Sequence, residues 1–215
     1  MNASTDRDVA LGRLILVPAL VTLGITLLRL AGEVMNWSPR LFSREAGGAG
    51  AIVGIVWLVP VFAIYFALKL LRAGDRPRLG YAALHCLAAI ALIALAMWAI
   101  QAAHVGPRTF IALFALAALA ALAVAWRGWP TLGRTLVAYG LAARVPVAIV
   151  MLVAMGIGWG THYEKGPPGF PAMSVLASWF WIGLVPQLTL WMGFTVVFGI
   201  LFGVAAGAVR RLQAG

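Results

Sequence analysis

Long apolar runs separated by short polar segments dominate this sequence. Six runs are long enough for a membrane-spanning helix, which needs about 20 predominantly apolar residues. They cover residues 14–30, 50–71, 81–103, 109–126, 140–159 and 186–209. The runs are continuous, unlike the alternating segments of a transmembrane β-barrel, and helices satisfy all of their backbone groups within lipid. The pattern predicts an all-α bundle of about six transmembrane helices, in a single polytopic domain over residues 1–215.

Two stretches do not fit simple spans. Residues 131–143 carry Arg134 and precede Arg144 and Pro146, so we expect a short interfacial helix there, before the fifth span. Residues 173–209 exceed one span at about 1.5 Å per residue. We expect Pro186 to divide this stretch into an aromatic interfacial piece over 173–185 and the final span, because tryptophan favours the headgroup level.

Composition supports a membrane protein. The chain is 63% apolar and 10% charged, with a mean hydropathy of +0.99. Soluble domains are about 45–50% apolar and about 25% charged. The one cysteine, Cys86, excludes an intrachain disulfide.

The net charge of +10 comes from lysines and arginines scattered through short loops. No element presents a basic stripe to phosphates, so nucleic acid is not an expected partner. Most of the 16 basic residues fall in the N-terminus, the second and fourth loops and the C-terminus, with Arg144 grouped with the fourth loop. The positive-inside rule then predicts cytoplasmic termini. Small size and richness in Ala, Gly and Arg favour a bacterial inner membrane.

Polar side chains concentrate in two loops of the predicted outer face. The candidate binding cluster consists of Arg29, Glu33, Arg40, Arg44, His162, Glu164 and Gln187. Arginine forks suit phosphate or carboxylate, and His162 with Glu33 could handle protons near neutral pH. The alternative is structural, with an Arg29–Glu33 pair closing a helix end and a loop histidine bonded to the backbone.

No catalytic or metal signature is evident. The chain has no HExxH, GxSxG, Walker or CxxC motif, so we expect no metal and no cofactor, and catalysis is disfavoured.

Two sets of glycines recur at four-residue spacing, which lets helix backbones approach closely. The predicted packing positions are Gly199, Gly203 and Gly207 in the sixth span, and Gly50 and Gly54 in the second. Intramolecular contact is the favoured interpretation, and a homo-oligomer is the alternative.

Three functions remain open. The favoured one is a binding or transport module for a small anionic solute or lipid in a polar pocket on the outer face. The second is a structural or accessory membrane subunit without chemistry. The third is an integral membrane lipid-modifying enzyme with His162 and Glu33 as acid–base groups. The first and third require the two outer loops to converge on one cavity.

Overall fold

The computed structural model describes residues 3–48 and 50–213, with side chains from Leu11 onward. The described chain is helical and contains no strand. The first five helices are α1 Ala3–Val34, α2 Leu58–Arg72, α3 Leu79–Ala102, α4 Pro107–Gly128 and α5 Pro130–Ile157. Single 3₁₀ turns occur at Ala46–Gly48 and His162–Glu164.

The last helical region, Val175–Leu212, is built from several pieces. They are α6 Val175–Ser178, a π-helical segment Trp179–Leu184, α7 Val185–Leu188 and α8 Leu190–Leu212. At about 1.5 Å per residue the 38 residues of this region would extend about 57 Å, well beyond the hydrocarbon thickness of a bilayer.

Five helical regions of the described chain are long and apolar enough to cross a membrane. They are Leu11–Val34, Leu79–Ala102, Pro107–Gly128, Pro130–Ile157 and Val175–Leu212. Large apolar side chains such as Leu84 and Trp98 are exposed on the outside of the bundle, as lipid contact requires. The all-helical prediction is therefore confirmed for the described chain, and its five long apolar helical regions are compatible with a multi-pass membrane protein.

The prediction of a helical second span over residues 50–71 is wrong for the first third of that range, which is not helical. Helix α2 begins only at Leu58, and its 15 residues extend about 22 Å, less than the roughly 30 Å hydrocarbon core. Residues 50–57 form turns and bends. The backbone N–H of Val53 donates to Leu41 O at 3.0 Å, outside any helix. Gly50 has a left-handed φ of 78°, which favours glycine and does not fit an α-helix.

Both predicted interfacial pieces also need correction. Residues 131–143 belong to the continuous helix α5, which contains Pro146 without ending there. Residues 173–185 are helical from Val175, and the helix continues through Pro186, which occupies the first turn of α7, where proline is tolerated. The α-helical pattern breaks at Thr189, with φ −123° and ψ −69°, so the final helix begins at Leu190 instead of Pro186.

Helix α8 packs against α2, α3, α4 and α5. A Cβ added at Gly199 would lie 2.7 Å from Leu136 of α5, and one at Gly207 would lie 3.1 Å from Leu79 of α3. Gly203 faces Leu132 and Ala67. The glycine face of α8 therefore contacts this chain's own helices, and a homo-oligomer through it would have to displace them.

Gly50 and Gly54 do not form a helix-packing pair, because both lie in the non-helical segment 50–57. No described atom approaches a Cβ built at Gly50 within 4 Å. A Cβ at Gly54 would lie 3.1 Å from Nη1 of Arg29.

Hydrogen bonds connect the segments between the helices at each of the two ends of the bundle. At one end, Trp129 Nε1 donates to Asp75 Oδ2 at 2.8 Å and Arg211 donates to Pro77 O at 2.9 Å. We call this the arginine-rich end, after Arg72, Arg76, Arg210 and Arg211. Residues 35–48, 50–57 and 158–174 form the other end, the loop end, where Glu33 of α1 contacts His162.

Candidate functional site

The carboxylate of Glu33 joins the two loops of the loop end. Its side chain is 0% exposed, and Oε1 accepts hydrogen bonds from Arg29 Nε at 2.8 Å and from His162 Nδ1 at 2.6 Å. Oε2 accepts from the backbone N–H of His162 at 2.8 Å. Arg44 donates to the backbone carbonyl of Glu33. Residues 129 positions apart therefore meet at one buried carboxylate.

Burial sets the protonation of His162. Loss of water around the ring lowers the pKa of His162, the contact with Glu33 opposes this, and the positive charge of Arg29 lowers it further. Because Glu33 is already paired with Arg29, the imidazole is neutral and carries its hydrogen on Nδ1, the atom that faces the carboxylate. Burial likewise raises the pKa of Tyr163, whose hydroxyl donates to Thr26 O at 3.4 Å.

A cavity of about 210 Å³ lies beside this cluster, between α1, the segment 46–57, α5 and Val175–Leu212. Its polar walls are Arg29, Arg144, His162, Lys165 and Gln187, and its apolar walls include Ile55, Trp57, Met151 and Trp191. Three of the lining side chains are cationic, and none of those described carries a carboxylate. The cavity therefore has a surplus of positive charge.

Arg144 is the most unusual group in this cavity. It lies near the middle of the 28 residues of α5, about 21 Å from the first residue of the helix, and is only 3% exposed. Its Nε has no hydrogen-bond partner among the described residues, and the guanidinium lies 4.8 Å from the Trp191 ring centroid. Counting Arg144 with the fourth loop was wrong, whereas its inclusion in the predicted span 140–159 agrees with α5, which continues through it. An unpaired charge buried this way costs several kcal/mol.

Gln187 supplies a second unpartnered polar atom. Its side chain is 8% exposed, and Nε2 donates to Met151 Sδ at 3.7 Å. Oε1 has no partner among the described residues. Two residues that line the cavity thus each carry a buried polar atom without a described partner, a donor on Arg144 and an acceptor on Gln187.

The other members of the predicted cluster lie outside the cavity. Glu33 lies behind Arg29 and His162, and Arg44 is bonded to the backbone. Arg40 is exposed and does not line the cavity. Glu164 accepts from the backbone N–H groups of Gly160 and Thr161 and closes its own 3₁₀ turn.

Sequence reasoning left Arg144 and Lys165 out of the cluster. For Arg144 a signal existed, because a charge inside an apolar run marks a candidate site by default. Lys165 carries no such signal, since a loop lysine beside Glu164 is ordinary.

Among residues 11–48 and 50–213, whose side chains the structure describes, no three His, Cys, Asp or Glu side chains lie close enough together to hold a metal ion. No protein-family model, curated protein or solved structure matches this chain.

Proposed function

We propose that this chain is a multi-pass membrane protein that binds a small anion, or the anionic group of a lipid, in the cavity at its loop end. The observation that carries the proposal is Arg144, a 97% buried cation with an unpartnered N–H in the wall of a cavity. A bound phosphate or carboxylate would supply the missing acceptor and the compensating charge.

The neighbouring side chains suit the same ligand. Glu33 fixes Arg29 through Nε, so the guanidinium beside the cavity is held in place before any ligand arrives. Lys165, whose side chain is exposed, adds another cation to the lining, and the low-dielectric surroundings of the buried Arg29 and Arg144 strengthen their attraction for an anion. The open acceptor on Gln187 matches a ligand that also carries an O–H, such as hydrogen phosphate or a hydroxycarboxylate.

The membrane placement belongs to the same proposal. Helix α2 and the segment 50–57 together complete a sixth pass, because irregular backbone is tolerated at membrane depth where it lines a cavity. The arginine-rich end and both termini face the cytoplasm by the positive-inside rule, and the cavity opens outward. A bacterial inner membrane fits this arrangement.

Acid–base chemistry on a bound lipid is a second candidate function. The 2.6 Å contact between His162 Nδ1 and Glu33 Oε1 fixes the imidazole tautomer and leaves Nε2 as the basic atom of a cavity-lining residue. If this second function is correct, the purified protein must turn over a lipid. The substitution His162→Gln must abolish that turnover while anion binding is retained. Binding without turnover supports the first candidate alone.

The test is anion-dependent stabilisation of the purified protein in nanodiscs of zwitterionic lipid. A ligand at 100 times its Kd stabilises the folded state by about 2.7 kcal/mol. For a chain of this size that raises Tm by about 5–11 °C. Inorganic phosphate and phosphatidate are titrated separately, which distinguishes a free anion from a lipid headgroup.

The matched variants are Arg144→Gln and Arg134→Gln. Both remove a cation from α5, but Arg134 is exposed and does not line the cavity. We expect Arg144→Gln to abolish the stabilisation and Arg134→Gln to retain it. If neither anion stabilises the wild type, or both variants lose the effect equally, the binding proposal is wrong and an accessory subunit becomes the better interpretation.

A further inference from the structure

The arginine-rich end contains a second feature, independent of the cavity at the loop end. Two adjoining clefts lie where α2 meets α8, with volumes of about 590 Å³ and 290 Å³. Arg72 and Arg210 line the larger cleft, and Arg76, Arg210 and Arg211 line the smaller. Arg210 therefore belongs to both, and the four arginines form one cationic patch.

The larger cleft continues into an apolar groove. Its walls are Ile64 and Leu68 of α2 and Phe202 and Val209 of α8, of which Ile64, Phe202 and Val209 are exposed. Ile64 lies about 12 Å along its helix from Arg72, and Phe202 lies the same distance from Arg210. Both helices thus present an arginine at the arginine-rich end and apolar surface deeper in the bundle. This pairing matches an amphipathic occupant with an anionic head.

The charge at this patch is not balanced by the described side chains. Among the side chains that the structure describes, Asp75 is the one carboxylate that lines the clefts, and its Oδ2 accepts a hydrogen bond from Trp129. The ion pairs of the described chain lie at the loop end, and none involves Arg72, Arg76 or Arg210. Arg211 donates to the backbone oxygen of Pro77. Among the described side chains, therefore, no carboxylate pairs with the guanidinium groups of Arg72, Arg76 and Arg210.

From this arrangement we infer that the groove between α2 and α8 binds an anionic phospholipid of the surrounding bilayer. The phosphate lies between Arg72 and Arg210, and one acyl chain lies along Leu68, Ile64 and Phe202. Basic pockets between transmembrane helices attract anionic headgroups, with each arginine near the surface adding to the attraction. A free phosphate would leave the apolar walls uncovered.

The experiment is lipid titration followed by native mass spectrometry. The delipidated full-length protein is titrated with phosphatidylglycerol and, separately, with phosphatidylcholine. We expect the wild type to retain phosphatidylglycerol at least tenfold more tightly, and Arg72→Gln/Arg210→Gln to lose that preference. The control is Arg40→Gln/Arg108→Gln, which removes two exposed arginines outside both clefts and should behave as wild type.

Three results would overturn the inference. They are equal affinity of the wild type for the two lipids, equal loss in both double variants, and displacement of phosphatidylglycerol by glycerol 3-phosphate at equal concentration. Size-exclusion elution and far-UV circular dichroism show whether each variant is folded. Because Arg144 lies outside both clefts, Arg144→Gln should leave phosphatidylglycerol binding unchanged. The lipid site between α2 and α8 and the anion site in the cavity can therefore be refuted independently of each other.

Discussion

Replacing Arg144 with methionine should make the ligand-free protein more stable while removing its response to anions. Methionine keeps an unbranched, flexible stem that can fill most of the space of the arginine in the wall of α5. It removes the buried charge and the unpartnered Nε. A residue retained for binding at the expense of stability behaves in this way, whereas a residue retained for structure does not.

The magnitude follows from two opposing terms. Removing a buried charge that no described carboxylate neutralises gains several kcal/mol, and replacing buried ionic groups by apolar ones is stabilising by about 1–4 kcal/mol. Loss of the contact with the Trp191 ring, 4.8 Å away, costs about 1–2 kcal/mol at a desolvated site. The difference between the midpoints of these two terms is about 1 kcal/mol in favour of the variant, which corresponds to a rise in Tm of about 2–4 °C.

The assay is thermal unfolding in nanodiscs, followed by tryptophan fluorescence, with and without phosphate. Arg134→Met on the exposed side of the same helix is the control and should keep both the wild-type Tm and its phosphate dependence. A loss of unfolding free energy in Arg144→Met of about 2–5 kcal/mol, the range typical of core truncation, would refute the reasoning, as would equal phosphate stabilisation in Arg144→Met and the wild type.

Three further outcomes follow from the described contacts. Glu33→Gln leaves Arg29 without a charge partner and should lower the unfolding free energy by about 3–5 kcal/mol, which thermal unfolding would show as a lower Tm. The control is Glu164→Gln, which should lower Tm less. Burial lowers the pKa of His162 in the folded state, so as pH falls the unfolded state binds this proton first. The unfolding free energy of the wild type should therefore decrease as pH falls below about 6.5, and an unfolding free energy that stays constant from pH 7 to 5 would contradict this. Gly193→Ala places a Cβ 2.9 Å from Ala118 O and should lower Tm, whereas Gly156→Ala, with no atom within 4 Å, should leave Tm unchanged or raise it.

Hydropathy predicted α3 and α4 to within about two residues at each end. Predicted as 81–103 and 109–126, they extend over Leu79–Ala102 and Pro107–Gly128. Their boundaries carry local signals, since Gly106 and Pro107 end one run and begin the next.

The errors occurred where apolarity and backbone conformation disagree. Residues 50–57 are apolar enough for a span, but Gly47, Gly48 and Gly50 have left-handed φ values. Arg29 also donates to the carbonyl oxygens of Ser43 and Gly48, each at 3.2 Å, and this holds the chain away from a helix. Such long-range contacts have no hydropathy signature. The same limitation led to Arg144 being counted with the fourth loop although it falls within the predicted span 140–159, because hydropathy places charges at the ends of spans.

The chemistry of the site was partly visible in the sequence, but its geometry was not. Glu33 and His162 were named together for their titration behaviour, and no pattern measures the distance between residues 129 positions apart. The assignment of a binding role to Arg29, His162 and Gln187 stays a prediction until ligand binding is measured. What the fold adds is that these three side chains line one cavity with Arg144 and Lys165.

The depth of that cavity has a consequence for the electric field across the protein in the proposed membrane placement. With water in the cavity as far as Arg144, near the middle of α5, the insulating layer between the two aqueous phases would be shorter by about half. The transmembrane potential is worth about 2.3 kcal/mol per elementary charge per 100 mV wherever it falls. Concentrated between Arg144 and the arginine-rich end, this potential would produce a mean electric field about twice that of an intact bilayer. A charge that moved through this inner layer would then cross most of the membrane voltage within half of the bilayer thickness.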